Sequence, residues 1–79
     1  MIRGMIVCSS AGSDKDKFSV ITEVDDDFVY ISDGKRHKLA SPKRKNKKHV
    51  AKTSSFIESE KMTTDKALRS ALAEYRSKL

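Results

Sequence analysis

The sequence is poor in the residues that build most small active sites and staples. It has one cysteine, one proline, three glycines, five aromatic residues and no tryptophan in 79 residues. A lone Cys8 forms no internal disulfide, and small secreted domains of this size usually need several. No apolar run exceeds four residues, far short of the roughly 20 that span a bilayer, and Met1 to Cys8 lacks the apolar stretch and cleavage site of a signal peptide. A soluble, cytoplasmic protein is the expectation, folded as one small domain.

The scarcity extends to chemistry. Cys8, His37 and His49 match no zinc spacing, and Asp14, Asp16, Asp25, Asp26 and Asp27 lack the spacing and distal glutamate of an EF-hand, so turn and solubility roles are expected of them. A single Gly12 in Ser10 to Asp14, with no further glycines and no Gly-Lys-Ser/Thr ending, reads as a structural turn and not a phosphate cradle. Cys8 follows three apolar residues and reads as a buried, inert thiol. No matched acid and base or activated nucleophile stands out, so the expectation is a non-enzymatic protein with no cofactor, no metal and no small-molecule substrate.

Positive charge is what the sequence does have, and it is concentrated. Residues 1 to 34 carry three bases against seven acids, a net of −4. From Lys35 to Ile57 there are nine bases and no acid, and residues 58 to 79 return to +1. One segment therefore holds more than the whole excess of +6. Such a run repels itself unless a polyanion relieves it, which points to nucleic acid. A membrane partner is not expected, because no amphipathic basic helix or lipidation motif accompanies the run.

The pattern up to Leu39 is short, apolar and punctuated by turn residues, which predicts strands at about Arg3 to Ser9, Phe18 to Val24, Phe28 to Ser32 and Lys35 to Leu39. Phe18, Val20 and Val24 are expected on one buried face of the second strand. Asp33-Gly34 has the composition of a two-residue hairpin turn, with Gly34 as its glycine. Pro42 to His49 contains no apolar residue and is expected to be an exposed loop. A fifth strand should run from about His49 to Thr53, with Ser54 to Met62 a polar connector anchored by Phe56 and Ile57. The expected core is Ile6 or Val7, Phe18, Val20, Val24, Val29, Ile31 and Val50. Leu68, Leu72, Tyr75 and Leu79, supported by Ala71, recur at helical spacing, so a helix is predicted from Asp65 to Ser77 with Thr63 or Thr64 as N-cap. The helix either docks on the strands or serves a partner.

The stretch from Gly4 through Gly12 to Phe18 and on to Ile31, continued by Asp33-Gly34-Lys35-Arg36 and Pro42 to His49, resembles a KOW motif. It is similar to the small bacterial KOW-domain RNA-binding proteins that are themselves similar to archaeal and eukaryotic large-subunit ribosomal proteins of the L-fourteen-e, L-six-e and L-twenty-seven-e type. The resemblance implies a mainly β fold, a small SH3-like five-stranded barrel over residues 2-53, followed by a connector and C-terminal α-helix over 54-79. It implies Gly12 as the turn glycine and Lys35, Arg36, Lys38, Lys43, Arg44, Lys45, Lys47, Lys48 and His49 as RNA-facing residues.

The partner expected on these grounds is structured RNA, with ribosomal RNA or the large ribosomal subunit and its proteins foremost. Lysine outnumbers arginine in the run and no aromatic interrupts it, which favours reading of backbone and shape over base-specific contacts. The alternative is a protein-interaction module of the transcription or translation machinery, with the helix stripe offered to a partner groove. Arg3, Lys61, Lys66, Arg69 and Arg76 lie outside the run and are expected to be remote from its site.

Overall fold

The computed structural model describes residues 1–79, the side chain of Ser13 excepted. Five strands form one antiparallel sheet: β1 Met5–Ser9, β2 Phe18–Val24, β3 Phe28–Ser32, β4 Lys43–Asn46 and β5 Val50–Phe56, in the spatial order β4-β3-β2-β1-β5. β4 and β5 are thus opposite edges of the sheet, yet only the three-residue 3-10 turn Lys47–His49 joins them. The sheet must curl until those edges approach. The resulting fold is mainly β, small and barrel-like, with one C-terminal helix, α1 Asp65–Ser77.

Curling gives the sheet two buried faces. Val7, Ile21, Val29, Ile31 and Val50 cluster on the concave side, joining β5 to β3 across two intervening strands. Ile6 and Val20, the sequence neighbours of Val7 and Ile21, point the other way and pack with Ile57, Met62, Leu68 and Leu72. Adjacent apolar residues such as Ile6-Val7 and Val20-Ile21 are what a strand buried on both faces requires, since successive side chains point to opposite faces. The helix therefore docks on its own sheet. Thr64 caps it, its hydroxyl accepting from Ala67 N at 3.1 Å.

Second and third strands and helix fall where the periodicity puts them, but several expectations are corrected. Val24, the last residue of β2, is 38% exposed and not core, and a bulge between Ile21 and Glu23 breaks the two-residue period and moves it from the face of Val20 to that of its partner Val29. Ile21 takes the core place instead, and Phe18 is only half-buried, edge-on to Tyr75 with ring centroids 5.2 Å apart. Lys35 to Leu39 is not a strand but part of a long β3–β4 connection, so Asp33-Gly34 is not a two-residue hairpin. Pro42 to His49, expected as a loop, contains β4 and the 3-10 turn. β5 continues to Phe56, and Ile57 and Met62 anchor the segment that follows while Phe56 and Leu79 are exposed.

The long connection is held by the helix rather than by strand pairing. Asp33 Oδ1 accepts from the backbone N–H of Lys35 and of His37, each at 2.9 Å, forming a local turn. Asp65, in the first turn of α1, accepts from Leu39 N at 2.8 Å, and Arg69 donates to the Gly34 carbonyl at 2.7 Å. Gly34 has φ +78°, and a Cβ there would run into the Asp65 carbonyl. Only glycine permits this approach of turn to helix.

Candidate nucleic-acid interface

The basic segment divides into an inward and an outward set. β4 pairs with β3 in the register Ile31↔Lys43, Tyr30↔Arg44 and Val29↔Lys45. Directly opposed residues share a face, so Lys43 and Lys45 lie on the concave side beside Ile31 and Val29. Their stems extend the apolar core and their ammonium groups reach its rim. Arg44, on the convex side, lies flat with its guanidinium carbon 3.8 Å from the centre of the Phe28 ring.

At the rim the inward set converges on Asp14, which is 3% exposed. Gly12, at φ +80°, opens the 3-10 turn Gly12–Asp14 that delivers this carboxylate. Its Oδ1 lies 3.1 Å from His37 Nε2 and 3.9 Å from Arg36 Nη1, while Oδ2 lies 3.3 Å from Lys43 Nζ and 3.9 Å from Lys45 Nζ. Burial by itself would raise the Asp14 carboxyl, but the His37 and Lys43 contacts outweigh it and hold it below the usual carboxylate range. Asp14 is therefore not a solubility residue. It is the counter-charge that lets three bases and a histidine from two segments share one small area.

Lys45 is spent inside the fold: it is 8% exposed, and its ammonium donates to the Ala11 carbonyl at 2.9 Å. Lys47 donates to the Asp26 carbonyl at 2.7 Å, tying the acidic β2–β3 turn to the end of β4. Asn46 accepts from Lys48 N at 2.9 Å and starts the 3-10 turn. Lys35, Arg36, Lys38, Arg44, Lys48 and His49 are exposed, and Lys43 and His37 are partly so. Arg36, His37 and Lys43 surround Asp14, Arg44 lies on the outer face of β4, Lys48 and His49 belong to the turn that follows it, and Lys35 and Lys38 are carried by the β3–β4 connection.

The Cys8 thiol is pushed up from its ordinary range by burial, with the Asp16 charge adding to the effect, which disfavours the reactive thiolate. Among the described residues no group of three or more His, Cys, Asp or Glu side chains is arranged to hold a metal, and no helix is long and apolar enough to cross a membrane.

Two features escape a reading of the sequence. Asp14 sits in a turn among other acids, and nothing local marks it as the one that is buried. Arg69 and Arg76 are not remote from the basic run: they border the same cleft as Lys35 and Arg36. Their seven-residue spacing, with Leu72 between, marks one helix flank, but only docking decides what that flank faces. No protein-family model and no curated protein matches this chain.

Proposed function

We propose that this protein is a non-enzymatic RNA-binding module that docks structured RNA, ribosomal RNA of the large subunit foremost, through the basic face around β4. The observation that carries the reading is the convergence of Arg36, His37, Lys43 and Lys45 on one buried carboxylate. One acid neutralises part of that charge, and the exposed bases beside it are left for an external polyanion. The KOW resemblance of the sequence supports the same reading. Lys35, Lys38, Arg44 and Lys48 are the phosphate contacts, with Arg36, Lys43 and His49 beside them. Lys45 and Lys47 act as positioning residues. The protein-interaction alternative loses its main element, since the helix stripe it would offer has Leu68 and Leu72 buried against the protein's own sheet.

Phosphate contacts release counterions, so affinity falls with salt at a log-log slope of about −0.7 to −0.9 per phosphate neutralised. Changing Lys35, Lys38, Arg44 and Lys48 to Ala is expected to flatten that slope by about 3 and to weaken binding to a structured RNA. Arg3, Lys61, Lys66 and Lys78, changed together, remove the same charge elsewhere and should flatten it far less. Equal effects would mean net-charge attraction without a site. Absence of binding by the unaltered protein, with no co-sedimentation with large ribosomal subunits at low salt, would refute the reading; cell-fraction association that survives nuclease would favour a protein partner.

A further inference from the structure

A second basic feature adjoins the β4 face and is built by elements far apart in sequence. Between the helix and the barrel lies a cleft of about 460 Å³, lined on one side by Lys17, Phe18, Lys35 and Arg36 and on the other by Arg69, Leu72, Ala73 and Arg76. Five of its lining residues are cationic, and Asp33 is the one acid among them. The Asp33 carboxylate already accepts from two backbone N–H groups. None of Lys17, Lys35, Arg69 and Arg76 is in an ion pair among the described residues. Between the two walls of charge the floor is apolar, formed by Phe18 and Leu72. The volume lies within the range of about 300 to 1,000 Å³ common for small-ligand pockets.

A purely anionic ligand would not need that floor, and a purely apolar one would not suit five cations. We propose that the cleft receives one unpaired nucleotide of the bound RNA, its phosphate between Lys35, Arg36 and Arg76 and its base against Phe18 and Leu72. Extruded bases are commonly held by an aromatic or apolar surface with cations on the adjoining backbone. Continuity with the β4 face is supplied by Arg36, which both lines the cleft and approaches Asp14. An RNA strand whose phosphates lie along the Asp14 rim, where Arg36 and Lys43 meet, thus leads into it. Arg69 has a second duty: its hydrogen bond to the Gly34 carbonyl holds the Lys35-Arg36 turn against the helix and so sets the width of the cleft. This assignment rests on the RNA reading above for its ligand and on the cleft itself for its geometry.

The test compares two RNA hairpins, fully paired and with one bulged nucleotide, against the full chain and two variants. Arg76→Ala removes a phosphate contact, and Ala73→Glu adds a negative charge at an exposed wall position without touching the core. The unaltered protein should prefer the bulged hairpin by about tenfold, as one stacked base would give. Both variants should lose that preference while keeping most of their affinity for the paired hairpin. In parallel, adenosine and uridine 5′-monophosphates should shift the backbone amide resonances of Phe18, Lys35, Arg36 and residues 69–76, whereas inorganic phosphate should leave Phe18 and Leu72 unmoved. Equal affinity for both hairpins, with no amide shift at Phe18 and Leu72, would overturn the cleft assignment and leave the RNA reading standing. Binding of neither hairpin would overturn the RNA reading, and the mononucleotide titration would then decide the cleft alone.

Discussion

Asp14 shows how one side chain can organise a charged surface. Without its carboxylate, Arg36, Lys43 and Lys45 would face one another around Asp14's nearly buried site, but Arg36 and Lys43 are 51% and 38% exposed and keep part of their hydration, so the cost falls below that of breaking a fully buried pair. Asp14→Ala should therefore destabilise the fold by about 1 to 3 kcal/mol in chemical denaturation. The folded carboxyl is held below its usual range, so its contribution to stability is complete above the unfolded value of 3.8 and is lost as pH falls through that value toward the folded one. Melting temperatures should drop below about pH 4, and Asp14→Asn should be less stable at neutral pH with a shallower acid dependence. An unchanged acid limb in that variant would show that other carboxylates dominate. The residue was visible in the sequence only as one of five turn acids. Its burial comes from Lys43, Lys45, Arg36 and His37, which lie 22 to 31 positions away and reach it through the curl of the sheet.

At the scale of elements, the helix both completes a core and holds the basic β3–β4 connection. Leu68 is fully buried against Ile6 and Val20, so Leu68→Ala should cost about 2 to 5 kcal/mol in urea unfolding. A further effect distinguishes this helix from a simple cover. Asp65 and Arg69 hold the β3–β4 connection through Leu39 and Gly34, and that connection carries Lys35, Arg36 and Lys38. Loosening the helix should speed hydrogen exchange at the amides of residues 34–39 before it affects β2 or β3. Equal protection of that connection in Leu68→Ala and the unaltered protein would contradict the coupling. The helix bounds, a cap at Thr63 or Thr64 and the stripe through Leu68, Leu72 and Tyr75 were legible from spacing and capping chemistry, because those forces act within one turn, whereas the choice of Thr64 and the exposure of Leu79 were not. β4 was not, because Lys43 to Asn46 has no apolar residue; its partner β3 and the rim charge of Asp14 impose the strand.

For the whole molecule, the two apolar clusters sit back to back on one sheet, sharing β1 and β2 through Ile6-Val7 and Val20-Ile21. Neither cluster can dissolve without exposing the strands that carry the other. The barrel and the helix are therefore expected to melt in one transition, followed alike by helical circular dichroism and by the fluorescence of Tyr30 on β3 and Tyr75 on α1. Two separated transitions would show that the helix is an independent appendage. The charge is arranged at the same scale. Nine bases without an acid lie between Lys35 and Ile57, but the protein splits them among the β3–β4 connection, the two faces of β4, the 3-10 turn and, for Lys52, β5, and adds Arg69 and Arg76 from the helix to the neighbouring cleft.

The sequence by itself determined the class of fold, two strands and the helix nearly to the residue, the turn role of Gly12 and the position of the positive charge along the chain. Each of these depends on periodicity, local hydrogen bonding or charge count, which a linear reading contains. Tertiary structure alone decided which face each lysine of β4 takes, that Asp14 is the buried acid, that a bulge moves Val24 off the face of Val20 and that the helix closes a cleft over Phe18. Those outcomes depend on pairing between β4 and β3, on curling forced by a three-residue link between edge strands, and on docking of a helix more than 40 positions from the strands it covers. No local pattern encodes them, because the interacting groups become neighbours only when the sheet has closed.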